Sequence, residues 1–457
     1  MPRSRELRLN TFQMAAPSHN WAGLWRHPRD NQVHYQRLRY WTEMAQIAER
    51  GLLDSIFIAD VFGIYDVYDG KRDAALSAGA QAPQSDPVLA VSAMALVTSH
   101  IGFGITSNLS YDHPFSFARR FSTLDHLTDG RVGWNIVTGY LDSGARGMGL
   151  TSSREHDERY DAADDYMTAL YKLWEGSWED GAVLRDKKAG VFVDPAKVHA
   201  VHHEGPYYKV DGAALAEPSP QRTPVLYQAG TSTRGLAFAG RHAEAVFLNG
   251  PTPEIAARSV RALRAAAVDA GRDPYDVLSL LGATVIVAPT GAEARALRDE
   301  YLSYIHHQGQ LALVSGWTGV DLARLSLDDA LPFAKTNAIR STLENLTVKA
   351  SAPARVRDLL EFSPAGARAP VFVGSPVEVA DQIEAWVEAS DIDGFNLVRT
   401  VMPESLEAIV DLLIPELQSR GRFKTAYGEG SLRAKLFPQG DALLNARHPG
   451  AAWRRRG

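Results

Sequence analysis

A short polar turn, Gly230-Thr231-Ser232, has the composition of an anion-binding site. It opens a helical pattern that runs from Thr231 to His242. At a helix start, free backbone N–H groups and hydroxyls can bind a phosphate, and the nearby Arg234 would add positive charge. The same composition is also typical of a helix N-cap that binds no ligand. The residues alone leave both interpretations open.

Two groups of histidines have the residue types of a metal site. One group is His199, His202 and His203 with Glu204, and the other is His306-His307. Neither group lies on a helical pattern that would place ligands at i and i+4. We therefore interpret both groups as solvated or locally hydrogen-bonded, and we predict no metal. The alternative is a metal-dependent barrel hydrolase that uses residues 199–204.

Composition excludes several functional classes. The chain has 457 residues, of which 45% are hydrophobic and 22% are charged, and its formal net charge is −6. It contains no cysteine, which excludes disulfides, iron–sulfur clusters and a thiol nucleophile. A mildly acidic chain without an apolar run of membrane length predicts neither a nucleic-acid nor a membrane partner. We expect a cytoplasmic enzyme.

Strand patterns alternate with helical patterns along the chain. Strands are predicted to begin near residues 7, 55, 101, 131, 224, 245, 278 and 394, each followed by a helical pattern. Eight parallel βα units predict an α/β fold, the (β/α)8 TIM barrel. An open doubly wound sheet would usually carry a glycine-rich fingerprint after an early strand, and none is present.

The pattern also predicts how the chain is divided. We expect one barrel domain over residues 1–457, with insertions at about residues 176–222 and 290–370. A C-terminal extension is predicted from about residue 421.

In a TIM barrel, the functional residues lie at the carboxyl ends of the strands. The predicted strand ends are rich in hydroxyls and amides and contain one carboxylate, Asp60. This composition suits hydrogen bonding to a neutral polar ring better than binding of a cation. His156 and Tyr160 lie one turn apart on a predicted acidic helix, so both side chains can point the same way into the site.

Several longer strings resemble a known family. They lie at residues 23–28, 57–60, 122–138, 155–160, 172–178, 194–199, 219–230 and 393–396. The chain resembles the bacterial luciferase-like superfamily of flavin-dependent monooxygenases. Within it, the chain is similar to the branch of the nitrilotriacetate, dibenzothiophene-sulfone, long-chain alkane and dimethyl-sulfide monooxygenases. The resemblance covers about residues 7 to 437.

The resemblance implies a two-component monooxygenase that binds FMN in its reduced form, FMNH2. A separate NAD(P)H:flavin reductase would supply the FMNH2, and O2 would be activated as a flavin C4a-peroxide. The substrate would be a small organic molecule, preferably an organosulfur compound such as a thioether or sulfone; an alkane or an aminopolycarboxylate remains possible. Ala16 and Tyr140 stand where the alkane enzyme carries Cys and His, which argues against long-chain alkanes. A homodimer or homotetramer is also implied.

The resemblance further assigns roles to individual residues. His19, Tyr65 and Tyr140 would be catalytic, and Phe62, Tyr65 and Phe247 would contact the substrate. The cofactor would be held by Asp60, Thr106, Asn135, Thr138, Gly139, Tyr140, His156, Tyr160, Ala229, Gly230, Thr231 and Ser232.

Two alternatives to a monooxygenase remain besides the hydrolase. One is an oxidoreductase of the same fold that transfers hydride with F420 or FMN. The other is a non-catalytic flavin-binding homologue, against which the full set of polar residues at the strand ends argues.

Overall fold

The computed structural model describes residues 6–332, 338–339, 347, 354–362, 369–437 and 440–455. Eight of its strands form the wall of a barrel. In chain order they are β1 (Arg8–Met14), β2 (Ser55–Ala59), β3 (Gly102–Asn108), β4 (Val132–Val137), β5 (Val225–Gln228), β6 (Ala245–Leu248), β7 (Leu278–Val287) and β8 (Gly394–Val398).

The eight strands are parallel and close on themselves. Each pairs with its neighbour in chain order, and β8 returns to β1, where Gly394 lies opposite Arg8 and Val398 opposite Phe12. The predicted TIM barrel and all eight predicted strands are therefore confirmed. Closure leaves the carboxyl ends of all eight strands at one rim.

Helices surround the barrel and extend over its rims. They are α1 (Leu38–Arg50), α2 (Asp73–Ala78), α3 (Val91–Leu96), α4 (Pro114–Leu127), α5 (Asp142–Gly147), α6 (His156–Trp174), α7 (Thr233–His242), α8 (Pro253–Asp269), α9 (Gly291–Leu302), α10 (His307–Thr318), α11 (Val356–Phe362), α12 (Pro376–Ser390), α13 (Glu404–Ala408), α14 (Ile414–Ser419) and α15 (Leu432–Leu436). A π-helical turn, Ile409–Leu413, joins α13 to α14. Short 3-10 turns lie at Leu24–Arg26, Gln32–His34, Tyr68–Gly70, Pro87–Ala90, Pro195–Lys197, Leu322–Arg324 and Pro449–Trp453. None of the described helices is both long and apolar enough to cross a membrane.

Aromatic rings fill the interior of the barrel. Phe57 packs edge-on against Phe12 with ring centroids 5.5 Å apart, and it stacks on Phe247 at 6.0 Å. The rings need small residues on the neighbouring strands: a Cβ on Gly133 of β4 would lie 2.5 Å from the ring of Tyr227 on the adjacent β5. The interior is thus a packed core rather than a pore.

The segment predicted as the first insertion, residues 176–222, contains two small antiparallel hairpins. One pairs Val183–Asp186 with Val191–Val193, and the other pairs Val201–Glu204 with Lys209–Gly212. Neither hairpin pairs with the barrel sheet.

The segment predicted as the second insertion, about residues 290–370, contains α9, α10 and α11. A ninth parallel strand that the pattern did not predict, Val371–Gly374, follows it and pairs with the end of β7. Its position is possible because β7 is ten residues long. The first part of β7 pairs with β8, and only its last four residues pair with the extra strand.

The segment predicted as a C-terminal extension packs against the interior of the barrel. Leu432 and Leu436 on α15 pack into the aromatic core between the strands. Beside them, Arg433 donates from Nε to Glu244 Oε1 at 2.6 Å and from Nη2 to Glu244 Oε2 at 2.9 Å, with both side chains buried. A bidentate pair satisfied in this way is tolerated away from water.

Candidate active site

One cavity lies at the carboxyl ends of the barrel strands, and the sequence-predicted site residues meet there. All of them line it: His19, Asp60, Phe62, Tyr65, Thr106, Asn135, Thr138, Gly139, Tyr140, His156, Tyr160, Ala229, Gly230, Thr231, Ser232 and Phe247. They come together because parallel strands in a closed barrel end at the same rim. The lining also includes Asn108 and Gln228, which the sequence placed at strand ends without a role, and residues that sequence reasoning missed, among them Gln81, Arg159 and Trp317.

The middle of the cavity wall carries amides with unused acceptors. Asn135 Nδ2 donates to Thr106 Oγ1 at 2.8 Å. Within the described part of the chain, no donor reaches Asn135 Oδ1 or Gln228 Oε1, although both atoms are buried. A buried acceptor without a partner costs about 1–3 kcal/mol. Two such oxygens in one cavity indicate a ligand that offers N–H or O–H donors.

One end of the cavity is built around the start of α7. Ser232 is the N-cap, and its Oγ accepts from the backbone N–H of Gly235 at 3.1 Å. A Cβ on Gly230 would lie 2.3 Å from the Tyr160 hydroxyl and 2.4 Å from Gln228 Nε2. Any other residue at position 230 would have to displace these two side-chain ends, and the N-terminal end of α7 beside them has the N–H groups that suit an anion.

The positive charge at this end is not the one suggested by the sequence. Arg234 does not line the cavity; it pairs with Asp161 at 2.9 Å and with Asp164. The buried Arg159 lines the cavity instead, and burial lowers its pKa. Arg159 lies three residues after His156 and directly before Tyr160, so helical spacing on α6 was a usable signal for it.

Asp60 is the only Asp or Glu among the described lining residues. Its removal from water, together with the nearby charge of Asp86, raises its pKa from the ordinary 3.8 to about 7. Gln84 Nε2 donates to Asp60 Oδ1, which opposes the rise. The carboxyl group can thus exchange a proton near neutral pH.

The pKa of Asp60 predicts a pH dependence of stability. Between about pH 4 and 7 the unfolded carboxyl ionises while the folded one keeps its proton, so the free energy of unfolding should fall as pH rises. The Asp60 contribution should be at most about 1.4 kcal/mol per pH unit. Urea unfolding measured across this pH range should show a smaller decrease in the free energy of unfolding for Asp60→Asn than for the wild type. Identical slopes would contradict the raised pKa.

Another part of the cavity, called the aromatic end below, is lined by Tyr65, Tyr140 and Trp317. The hydroxyls of Tyr65 and Tyr140 lie 2.9 Å apart. The Tyr65 hydroxyl donates to Gln81 Oε1 at 2.9 Å and accepts from Trp317 Nε1 at 3.1 Å. The His19 ring packs edge-on against Phe12, with centroids 4.4 Å apart. Both Tyr65 and His19 are buried.

The two histidine groups are dispersed among local partners. His199 contacts Glu179 at 2.7 Å, His202 contacts Asp211 at 2.7 Å, and His203 contacts Asp165 at 2.9 Å. His306 caps α10 by accepting from the Gly309 N–H at 3.1 Å. Among the residues that the structure describes, no three His, Asp or Glu side chains are arranged to hold a metal ion.

A comparison of the chain with models of protein families identifies its family. The family model for luciferase-like monooxygenases matches residues 11–391, which is most of the chain. The chain belongs to the luciferase-like monooxygenase family. This finding confirms the resemblance found in the sequence, and it makes the protein a monooxygenase rather than a hydrolase.

Two named monooxygenases and one further solved structure are similar to the chain over nearly its whole length. It is 47% identical to dimethyl-sulfide monooxygenase of Hyphomicrobium sulfonivorans, covering 98% of this chain and 93% of that protein. It is 43% identical to long-chain alkane monooxygenase of Geobacillus thermodenitrificans, covering 99% and 98%. A crystal structure of riboflavin lyase with modified FMN and its substrate riboflavin superposes with a TM-score of 0.92, at 37% identity and coverage of 99% and 100%.

Proposed function

We propose that this luciferase-like monooxygenase is the oxygenase component of a two-component system. It would bind FMNH2 supplied by a separate NAD(P)H:flavin reductase and use O2 to oxygenate a small organosulfur compound. The observation that carries the proposal is the cavity itself, which joins a glycine- and hydroxyl-containing helix start, buried acceptor oxygens and an aromatic compartment. These three parts match the phosphate, the polar ring with its ribityl chain, and an apolar substrate.

The residues present fit reduced FMN. The phosphate would lie at the start of α7, between Ser232, Tyr160 and Arg159, since all three line the cavity and Tyr160 interacts with both of the others. The N–H groups of the reduced ring and the ribityl hydroxyls would satisfy Asn135 Oδ1 and Gln228 Oε1. The remaining polar contacts would come from Asp60, Thr106, Thr138, Gly139, Tyr140, His156, Ala229, Gly230 and Thr231. Bound FMNH2 would supply the electrons that activate O2.

The protein's own part is to position the reactants and to exclude water. Phe12, Phe247 and Trp317 form apolar walls of the cavity. Exclusion of water prevents side reactions of the activated oxygen before it reaches the substrate. His19, Tyr65 and Tyr140 supply the polar hydrogens near the substrate end, where a proton must move when oxygen is transferred.

The cavity favours a neutral substrate. Arg159 is the only Arg or Lys among the described lining residues, and it lies at the end assigned to the phosphate. A substrate with several carboxylates would need further cations. Together with the similarity to dimethyl-sulfide monooxygenase, this favours a thioether or sulfone over an aminopolycarboxylate.

The test is a reconstitution with and without a reductase. NADH alone should give no oxygen uptake, because no glycine-rich nicotinamide fingerprint follows an early strand. Adding FMN and a generic flavin reductase should allow oxygenation within a panel of thioethers, sulfones, alkanes and aminopolycarboxylates, with the thioethers or sulfones preferred. Robust NADH oxidation by the purified chain alone would contradict the two-component proposal.

A further inference from the structure

Part of the aromatic end of the cavity is lined by a helix that is not part of the eight-stranded barrel wall. Helix α10 contributes Trp317, whose side chain is 4% exposed and lines the cavity. The other aromatic residues at this end, Tyr65 and Tyr140, follow β2 and β4. The compartment is thus completed by a segment inserted between β7 and β8.

Two glycines on one face of helix α10 allow its backbone to pack closely against neighbouring elements. Gly309 and Gly316 are seven residues apart, which is about two helical turns. A Cβ on Gly309 would lie 2.2 Å from the Cβ of Ala78 on α2, and a Cβ on Gly316 would lie 1.9 Å from Cδ1 of Tyr65. The backbone of α10 therefore lies directly against both neighbours, and the wall it forms is a packed surface.

Hydrogen bonds fix the position of this wall. Trp317 Nε1 donates to the Tyr65 hydroxyl at 3.1 Å, and Tyr65 donates to Gln81 Oε1 at 2.9 Å. Gln81 Nε2 donates in turn to the backbone carbonyl of His19 at 3.0 Å. The segments that follow β1 and β2 and the inserted helix are thereby joined by buried hydrogen bonds, which resist displacement because an unpaired buried group is costly.

We propose that Trp317 determines substrate specificity by setting the length of the substrate compartment. The inference rests on the proposed function and deepens it: the preferred substrates are short organosulfur compounds, and longer chains are excluded by the indole ring. The ring is held both by its own hydrogen bond and by the close seating of α10. A longer alkyl chain would have to displace a packed helix.

The experiment compares methyl n-alkyl sulfides of increasing chain length, from dimethyl sulfide to methyl hexyl sulfide, with a flavin reductase supplying FMNH2. Wild type should lose kcat/KM as the chain lengthens. Trp317→Ala should raise the ratio of long-chain to short-chain kcat/KM at least about tenfold, since one methylene in an apolar pocket is discriminated by that factor. Trp317→Leu serves the same purpose if the Ala variant does not fold.

Trp317→Phe is the matched control. It removes the indole N–H but keeps a ring in place, so the dependence on chain length should remain close to that of the wild type. Anaerobic affinity for FMNH2 should be similar in all variants, because the phosphate is proposed to bind at the start of α7, whereas Trp317 Nε1 bonds to Tyr65. A wild-type length dependence in Trp317→Ala and Trp317→Leu, with normal FMNH2 affinity, would overturn the proposal.

Binding of the same sulfides, followed by the absorbance change of oxidised FMN in the protein, gives a readout that does not need turnover. If Trp317→Ala binds long-chain sulfides that the wild type binds poorly, the role of Trp317 is supported. If both proteins lose affinity at the same chain length, the role is overturned. Absence of sulfide oxidation in every variant, despite binding of FMNH2, would show that the organosulfur assignment is wrong. The binding series would still decide the role of Trp317.

Discussion

Ser232→Asp should weaken binding of FMNH2 by about a hundredfold while leaving α7 folded. Asp is as good an N-cap as Ser. The Gly235 N–H, which donates to Ser232 Oγ in the wild type, therefore keeps an acceptor in the variant. The new carboxylate would lie beside the proposed phosphate. Two like charges 4 Å apart repel by about 4 kcal/mol at an effective dielectric constant of 20. Arg159 offsets part of this repulsion, which leaves roughly the hundredfold loss.

Ser232→Asn is the matched control, because it caps the helix equally well without a charge. Its affinity for FMNH2 should remain within a few-fold of the wild type. Reduced riboflavin, which lacks the phosphate, should bind the Asp variant as well as it binds the wild type. Anaerobic fluorescence titration measures the affinity of the wild type and of both variants for FMNH2 and for reduced riboflavin. An unchanged FMNH2 affinity in Ser232→Asp would show that the phosphate does not bind at this turn.

His19→Ala should lower substrate oxygenation by about a hundredfold, which is a typical contribution of a general acid or base. More of the consumed oxygen should then be released as hydrogen peroxide. The fold should survive, because the backbone carbonyl of residue 19, which accepts from Gln81 Nε2, is kept in the variant. Oxygen uptake, product formation and peroxide release, measured together, give the rate and the coupling.

The measurements also distinguish a catalytic His19 from a structural one. A catalytic role predicts normal FMNH2 affinity in His19→Ala, with part of the coupling restored in His19→Gln, which keeps an N–H donor. A structural role predicts lower FMNH2 affinity and no recovery of coupling in His19→Gln. Normal rate and coupling in His19→Ala would show that the ring does not act in the reaction.

The order of elements and the composition of the cavity could be predicted from local patterns. Buried apolar runs such as residues 55–59 read as strands because a strand covered by helices is apolar on both faces. Eight such runs, each followed by a helical pattern, are sufficient for a closed barrel. Once the barrel is assigned, Asp60, Asn135 and Ser232 must meet, since each lies just inside or beyond the end of a parallel strand.

Three-dimensional packing decided what local patterns could not. The chain carries Arg159 and Arg234 on two helices beside the same turn, and only the arrangement of α6 against α7 directs Arg234 to Asp161 and Asp164 and Arg159 into the cavity. Likewise, no spacing rule connects Trp317 with Tyr65, which are 252 residues apart. Periodicity reports which face of an element is apolar, whereas the partner of a charge or a ring depends on long-range contacts between elements.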